Sequence, residues 1–389
     1  MQRLAFCLAI TALVGGAVMG TASCSSLADA TANGVLGDAS SDGQGEGGNQ
    51  PAFDAGATPQ LEANGIVLVH AASFPAFRIC FEGAPGERPL PSTELMPESN
   101  VVGVDVGSAI RLPPHAGILG RAFVFPELAL RSLYPAFGGE AVGPTCEQLL
   151  LSNKGDATEV GSLKEDLGIG VHALVLHGCR TAARDPQATA DRCGDDWKPA
   201  TGNLQLQVLT LKAYVRPPSV TGLPVQIVQL SPALAKLTAG RSVGVAFGDL
   251  DRDGGGAPAP FIEGALPFAT PVPNPPAVID YQPSEAASYA TSGVFVTLGG
   301  LLDGGSADAG PRSVLIAQSL EEIQRRSASR SLPSDWFAVA SSYVVVSVGD
   351  PLPVLADGGP DSDPRRALHL LAIPLAAPDA GTTAADAAQ

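Results

Sequence analysis

The chain has 389 residues, 45% of them hydrophobic and 16% charged, which excludes a solvated disordered polymer and allows a sizeable core. Aromatic residues make up only 5%, so that core must be mostly Val, Leu, Ile and Ala, while 45 Gly and 34 Pro favour turns over long helices. A net charge of -16 repels phosphate backbones, which excludes nucleic acid as a natural partner and gives no electrostatic help on anionic lipid.

The chain opens on a secretory layout. Arg3 is a basic start, Leu4 to Val18 is an apolar run, and Thr21-Ala22-Ser23 leads to Cys24. Basic start, short apolar core and small-residue cleavage site define an export signal. The run is short for a membrane span, which needs about 20 apolar residues. The cysteine at this place resembles the lipidation site of bacterial lipoproteins, with Thr21 where the usual box has Leu. The resemblance implies residues 1–23 as signal peptide, a lipid on Cys24, and an outer-membrane location, periplasmic or surface-exposed. Residues 24–61 then read as a disordered tether, because a stretch such as Ser40 to Gly48 cannot bury enough surface to offset chain entropy. Its Gly43-x-Gly45-x-x-Gly48 matches a dinucleotide fingerprint by letter, without the strand and helix that would give it meaning.

Residues 62–216 form the first folded region. Ile66 to His70 is a continuous apolar strand, and Ala76 to Glu82 returns after a turn. Val101 to Leu112 holds two short strands around Gly107, Pro126 to Leu133 a short helix, and Gly168 to Leu176 another strand. Leu204 to Val208 alternates, which predicts one buried and one wet face. Cys80, Cys146, Cys179 and Cys193 are an even set in an exported chain and read as two disulfides. Four cysteines allow three pairings. Chain distance favours Cys179 with Cys193 and Cys80 with Cys146. A zinc set of His172, His177, Cys179 and Cys193 is the competing assignment, and it conflicts with both the strand period and an oxidising compartment. His70 reads as a packed histidine rather than a base.

Residues 219–376 form the second region, and residues 377–389 read as a disordered tail. Strands are predicted at Val225 to Leu230, Ser242 to Phe247, Ala277 to Tyr281, Gly293 to Leu298, Ser313 to Ala317, Ser342 to Val348 and Leu368 to Ile373. Ser319 caps a predicted helix with Glu321 and Glu322 in its first turn. Many short strands with Pro/Gly turns give the fold class: all-β, two immunoglobulin-like β-sandwich domains in tandem. The opening strands are alike, with Val69-His70-Ala71, Ser73 and Pro75 in the first and Gln229-Leu230-Ser231-Pro232 in the second. They resemble the Val-His-Ala-Ser-Pro entry motif of a bacterial surface β-sandwich family, a domain of unknown function. The resemblance implies a secreted or lipid-anchored sandwich and brings no active site with it.

Two motifs suggest chemistry. Gly240-Arg241-Ser242-Val243-Gly244 matches a nucleophile elbow, which requires a strand before the serine and a helix after it; here the predicted order is reversed. Asp249, Asp251 and Asp253 before Gly254 place alternate carboxylates on a tight loop, the pattern of a calcium cage, with Pro260 where a bidentate glutamate would stand. Calcium is therefore the one cofactor the sequence suggests, and a charged turn is the plain alternative. The sequence reads as a non-catalytic envelope module, not an enzyme, with an unidentified envelope or extracellular ligand. A calcium-dependent adhesin-like module and a serine hydrolase using Ser242 are the alternatives.

Overall fold

A computed structural model describes residues 64–91, 103–112, 117–137, 143–152, 155–168, 170–186, 188–214, 222–250, 259–279, 291–298, 313–327, 342–351 and 366–376. Cys24, the proposed tether, Asp251, Asp253 and the 216–219 boundary lie outside these residues. The first strand, β1 (Gly65–His70), is buried along its whole length. It pairs in parallel with β6 (Val171–His177) and antiparallel with β3 (Ala109–Leu112), while β7 (Gln205–Leu211) borders β6. A second sheet of β2 (Phe77–Phe81), β4 (Gly120–Pro126) and β5 (Thr158–Leu163) covers one face of the first. Strand alternation builds the core between them: Ile66 and Leu68 from β1 meet Phe77 and Ile79 from β2.

The second half repeats this plan. Its first sheet runs β11 (Val272–Ile279), β8 (Leu223–Gln229), β14 (Ser342–Val348), β15 (His369–Leu375). Again the central pair, β8 and β14, is parallel and its neighbours are antiparallel. The covering sheet runs β10 (Ala259–Gly264), β9 (Val243–Asp249), β12 (Ser292–Leu298), β13 (Ser313–Ser319). Among the described residues the first half has two isolated bridges beside β2, Phe77 to Val104 and Ile79 to Leu90, where β10 lies beside β9. The match extends to register. His70 ends β1 opposite Leu176, and Gln229 ends β8 opposite Ser347, each partner being the sixth residue of its strand. The likeness of the two opening strands in sequence is thus a likeness of position.

The sandwiches are all-β, and their two parallel-centred sheets pack against each other. Val67 and Val69 point away from the first core and meet Val228, Val344, Val346, Leu371 and Ile373 of the second half. This explains why β1, β6, β8, β14 and β15 are apolar without alternation: both of their faces are covered.

Helices are short. α1 (Glu127–Leu133) and α2 (Cys146–Ser152) lie over the outer face of the β2-β4-β5 sheet, where Leu130 and Leu149 pack on Phe123 and Phe125. Pro126 stands at the cap of α1. α3 (Ala190–Cys193) follows β6, and α4 (Pro232–Thr238) follows β8. Ser231 caps α4 by accepting from the Leu234 N–H at 3.0 Å, and Pro232 takes the first turn, where its missing donor costs nothing. α5 (Leu320–Arg326) has the predicted Ser319 cap, which accepts from the Glu322 N–H at 3.1 Å. No helix among the described residues is long and apolar enough to cross a membrane.

Cys80 pairs with Cys146, tying β2 to α2, and Cys179 pairs with Cys193, closing the loop after β6. Both sulfur pairs are buried. Alkylation of the native protein should therefore leave these four cysteines unmodified, and alkylation after reduction should modify all of them. Modification of any of the four without reductant, read by mass spectrometry of tryptic peptides, would contradict the pairing.

Candidate functional site

The parallel pairs β1–β6 and β8–β14 send their C-terminal ends toward one side, and the connections that leave them diverge. Between these connections lies a groove of about 460 Å³, lined by residues 70–76, 105–107, 178–180 and 349–350, part of α1, and Arg366. That volume suits a small ligand. Four arginines (Arg131, Arg180, Arg192, Arg366) and four carboxylates (Asp105, Glu127, Asp185, Asp350) share its wall. In a chain of net charge -16, the charges on this wall balance.

The loops are fixed by local chemistry. After β1 the strand ladder continues for two more bonds: Ala71 N–H donates to the Leu176 carbonyl at 2.8 Å and Ser73 N–H to the Gly178 carbonyl at 3.0 Å. The Ser73 hydroxyl then donates to Asp185 Oδ2 at 2.7 Å. Arg180 follows Cys179, whose N–H donates to Asn203 Oδ1 at 2.9 Å and whose carbonyl accepts from the Asn203 N–H at 2.9 Å. The Trp197 indole donates to the Arg180 carbonyl at 2.9 Å, and Trp197 also packs on the Cys179–Cys193 disulfide. Gly178 has φ +84°, and a Cβ there would stand 2.4 Å from the Asn203 carbonyl oxygen, so only glycine allows this approach. Disulfide, asparagine and indole together hold the Arg180 backbone, while its guanidinium lies over the Phe74 ring, 5.0 Å from the centroid. The Arg180 Nε is buried without a hydrogen-bond partner among the described residues. Burial holds its pKa below the ordinary value, with Arg184 adding to the effect and Asp185 opposing it.

The opposite wall is α1. Arg78 Nε donates to Glu127 Oε2 at 2.9 Å and its Nη2 to Oε1 at 3.4 Å, and Arg131 Nε donates to Oε1 at 3.2 Å. Arg78 and Glu127 are both buried. Burial pushes the Glu127 carboxyl up, against the pull of Arg78 and Arg131. Leu128, the next residue, is 80% exposed and stands at the lip of the groove.

The histidines His70 and His369 are packed into the fold. His70 Nδ1 lies 3.1 Å from the Val104 carbonyl, and its ring packs edge-on against Phe77 at 4.8 Å. Burial lowers its pKa from 6.5 to about 4, opposed by the Val104 carbonyl and Asp105. His369, the histidine downstream of Ser242, has Nδ1 on the Ala367 carbonyl at 2.7 Å and Nε2 on the Gly107 carbonyl at 2.6 Å. Neither nitrogen is left for Ser242. That serine is exposed immediately before β9, with α4 ahead of it. A nucleophile elbow would show the reverse order, strand before and helix after.

Cys179 and Cys193 form a disulfide, which removes the thiolates that the zinc set requires. His177 packs edge-on against Phe268 at 5.3 Å. Among the described residues no three His, Cys, Asp or Glu come together as a metal cage. Of the calcium motif, Asp249 closes β9, and Asp251 and Asp253 lie outside the described residues. The groove itself was not foreseen residue by residue. Its signals were Ser73 to Pro75 after the opening strand and an arginine beside a disulfide cysteine. Neither family models nor curated proteins give a match to this chain.

Proposed function

We propose that this protein is a lipid-anchored component of the cell envelope whose folded part is a non-catalytic binding module. The groove is its site, and Cys24 attaches it to the outer membrane. The single observation that carries the binding reading is the groove: charged side chains converge from both halves onto a concave surface whose loops are fixed by a disulfide and buried hydrogen bonds. Ser73 donates to Asp185, and His70 holds its Nδ1 on the Val104 carbonyl with its Nε2 buried. The anchor rests on the residues from Arg3 to Cys24 and on the resemblance of the opening strands to a bacterial surface family. Two buried disulfides accord with an exported chain.

Detergent-phase partition and an esterase assay on the full chain test the two parts. The wild-type protein should enter the detergent phase, Cys24→Ser should remain in the aqueous phase, and neither should turn over p-nitrophenyl butyrate. Partition that survives Cys24→Ser overturns the anchor. Turnover that disappears in Ser242→Ala overturns the non-catalytic reading in favour of a hydrolase.

A further inference from the structure

His369 joins the two halves beside the groove. It opens β15, and Leu371 and Ile373, next on the same face of that strand, lie in the interface between the halves. Its buried ring stands between two backbone carbonyls. Nδ1 is 2.7 Å from the carbonyl of Ala367, two residues back on its own chain, and Nε2 is 2.6 Å from the carbonyl of Gly107 in the other half. Both partners accept and neither can donate. A neutral imidazole carries one N–H, so it satisfies one carbonyl and turns a lone pair toward the other; an imidazolium satisfies both.

Each carbonyl belongs to one wall of the groove. Gly107 lines it, and its N–H donates to the His70 carbonyl at 3.0 Å, which ties that wall to the end of β1. Ala367 follows Arg366, which lines the other wall with Asp350. The Asp350 N–H donates to the Arg366 carbonyl at 2.8 Å, and its carbonyl accepts from the Leu368 N–H at 2.9 Å, so this wall is one bonded unit.

The charged groups about the ring come from several elements. Glu322 and Arg326 of α5 pair with each other at 3.0 Å and act on the ring in opposite senses, Glu322 favouring a second proton and Arg326 opposing it. Asp105 lies in the loop of Gly107, and Asp350 and Arg366 lie ahead of β15. The partner strand β14 brings no carboxylate, amine or histidine. Burial lowers the ring from its ordinary 6.5 against the pull of the two carbonyls, so the folded chain holds one ring proton at pH 7 and gains the second in acid. The first proton belongs on Nδ1, because the bond to Ala367 is closed by the local chain, whereas the bond to Gly107 depends on the packing of the two halves.

We propose that His369 is an acid-operated clasp between the two halves: at neutral pH it holds Ala367 alone, and in acid its Nε2–H also takes the Gly107 carbonyl and ties the two groove walls together. The proton comes from solvent and returns to it. The clasp rests on the reading of the groove as a binding site for its purpose, and it is tested without a ligand.

Nuclear magnetic resonance of the full 15N-labelled chain reads both ends of the clasp. At pH 7.5 the His369 ring should be the Nδ1–H tautomer, and on acidification it should become imidazolium with a midpoint below 6.5. The Ser108 N–H shares its peptide group with the Gly107 carbonyl and should shift at the same midpoint. In His369→Leu that shift should vanish. His70, which titrates at about 4 and bonds to the same loop, is separated by repeating the titration in His70→Gln. An imidazolium already present at pH 7.5, an Nε2–H tautomer at that pH, or a ring that takes no second proton by pH 4 overturns the clasp. So does a Ser108 shift that survives His369→Leu. If His369→Leu fails to fold, the wild-type chain decides, and separate midpoints for the ring and Ser108 overturn the proposal. The Ser242-dependent turnover that would overturn the binding reading leaves all of these outcomes unchanged, so the two fail separately.

Discussion

Arg78→Met should lower the stability of the protein by about 3 kcal/mol, at the lower end of the 3–5 kcal/mol typical when one partner of a buried ion pair is removed. The reason lies in Glu127. Its carboxylate is buried and bonded in two places by Arg78, and removing the arginine leaves only Arg131, which is partly exposed. Arg131 is why the lower end applies. Arg78 also lies 5.5 Å from the centroid of the Tyr134 ring, a contact methionine replaces with its own packing. The double variant Arg78→Met, Glu127→Leu removes the stranded charge and should recover most of the loss, because apolar pairs of similar volume replace buried ion pairs at little cost. The pH dependence carries a further sign. Burial already raises the Glu127 carboxyl, and loss of Arg78 raises it further. A carboxyl raised in the folded state loses stability as pH rises through its folded value, so the deficit of Arg78→Met should be larger at pH 8 than at pH 5. Urea unfolding of the three proteins measures all of this. A double variant as unstable as the single one would show that the stranded carboxylate is not the cause.

Much of the fold was legible in the sequence because strand burial leaves a mark. Ile66 to Val69 and Val344 to Val348 read as strands from apolar runs bounded by turns, and both are strands. The same runs also carried the message that inner sheets meet, since runs without alternation belong to strands covered on both faces. Two separate sandwiches in tandem would leave Val67, Val69, Leu371 and Ile373 in water; in the structure those side chains form the shared interface. Other strands left weaker marks. β5 directs only Val160 and Leu163 inward, too few for a pattern, and the stretch of β10 includes Pro260, which argues against a strand. β4 ends at Pro126, which drew attention to the helix after it instead. The groove was beyond local reading for a different reason. Arg180, Asp350 and Arg366 are brought to one place only by the parallel pairings and by the packing of the two halves, and no short-range pattern encodes either.

His70→Gln should flatten the acid side of the stability profile. His70 is fully buried and its pKa is lowered from 6.5 to about 4, first of all by burial. Between those two values the unfolded chain binds a proton at this position and the folded chain does not. Stability from His70 is therefore complete above about pH 6.5, declines as pH falls, and is lost by about pH 4. At 1.36 kcal/mol for each pKa unit the whole effect is about 3 kcal/mol. Glutamine removes the titration and keeps the geometry, because its amide can donate to the Val104 carbonyl as the ring does now at 3.1 Å. The second half already places glutamine at this point: Gln229 is equally buried at the end of β8, opposite the sixth residue of its parallel partner. His177 and His369 are also lowered, chiefly by burial. They act with the same sign, so the variant should keep a shallower decline. Denaturant unfolding of both proteins at pH 7 and pH 4 gives the difference directly. The wild type should lose about 3 kcal/mol more than His70→Gln across this interval. Parallel losses in the two proteins would mean that His70 stays neutral in the unfolded chain or charged in the folded one. Either result would contradict the burial of this ring among Phe74, Phe77 and the Val104 carbonyl.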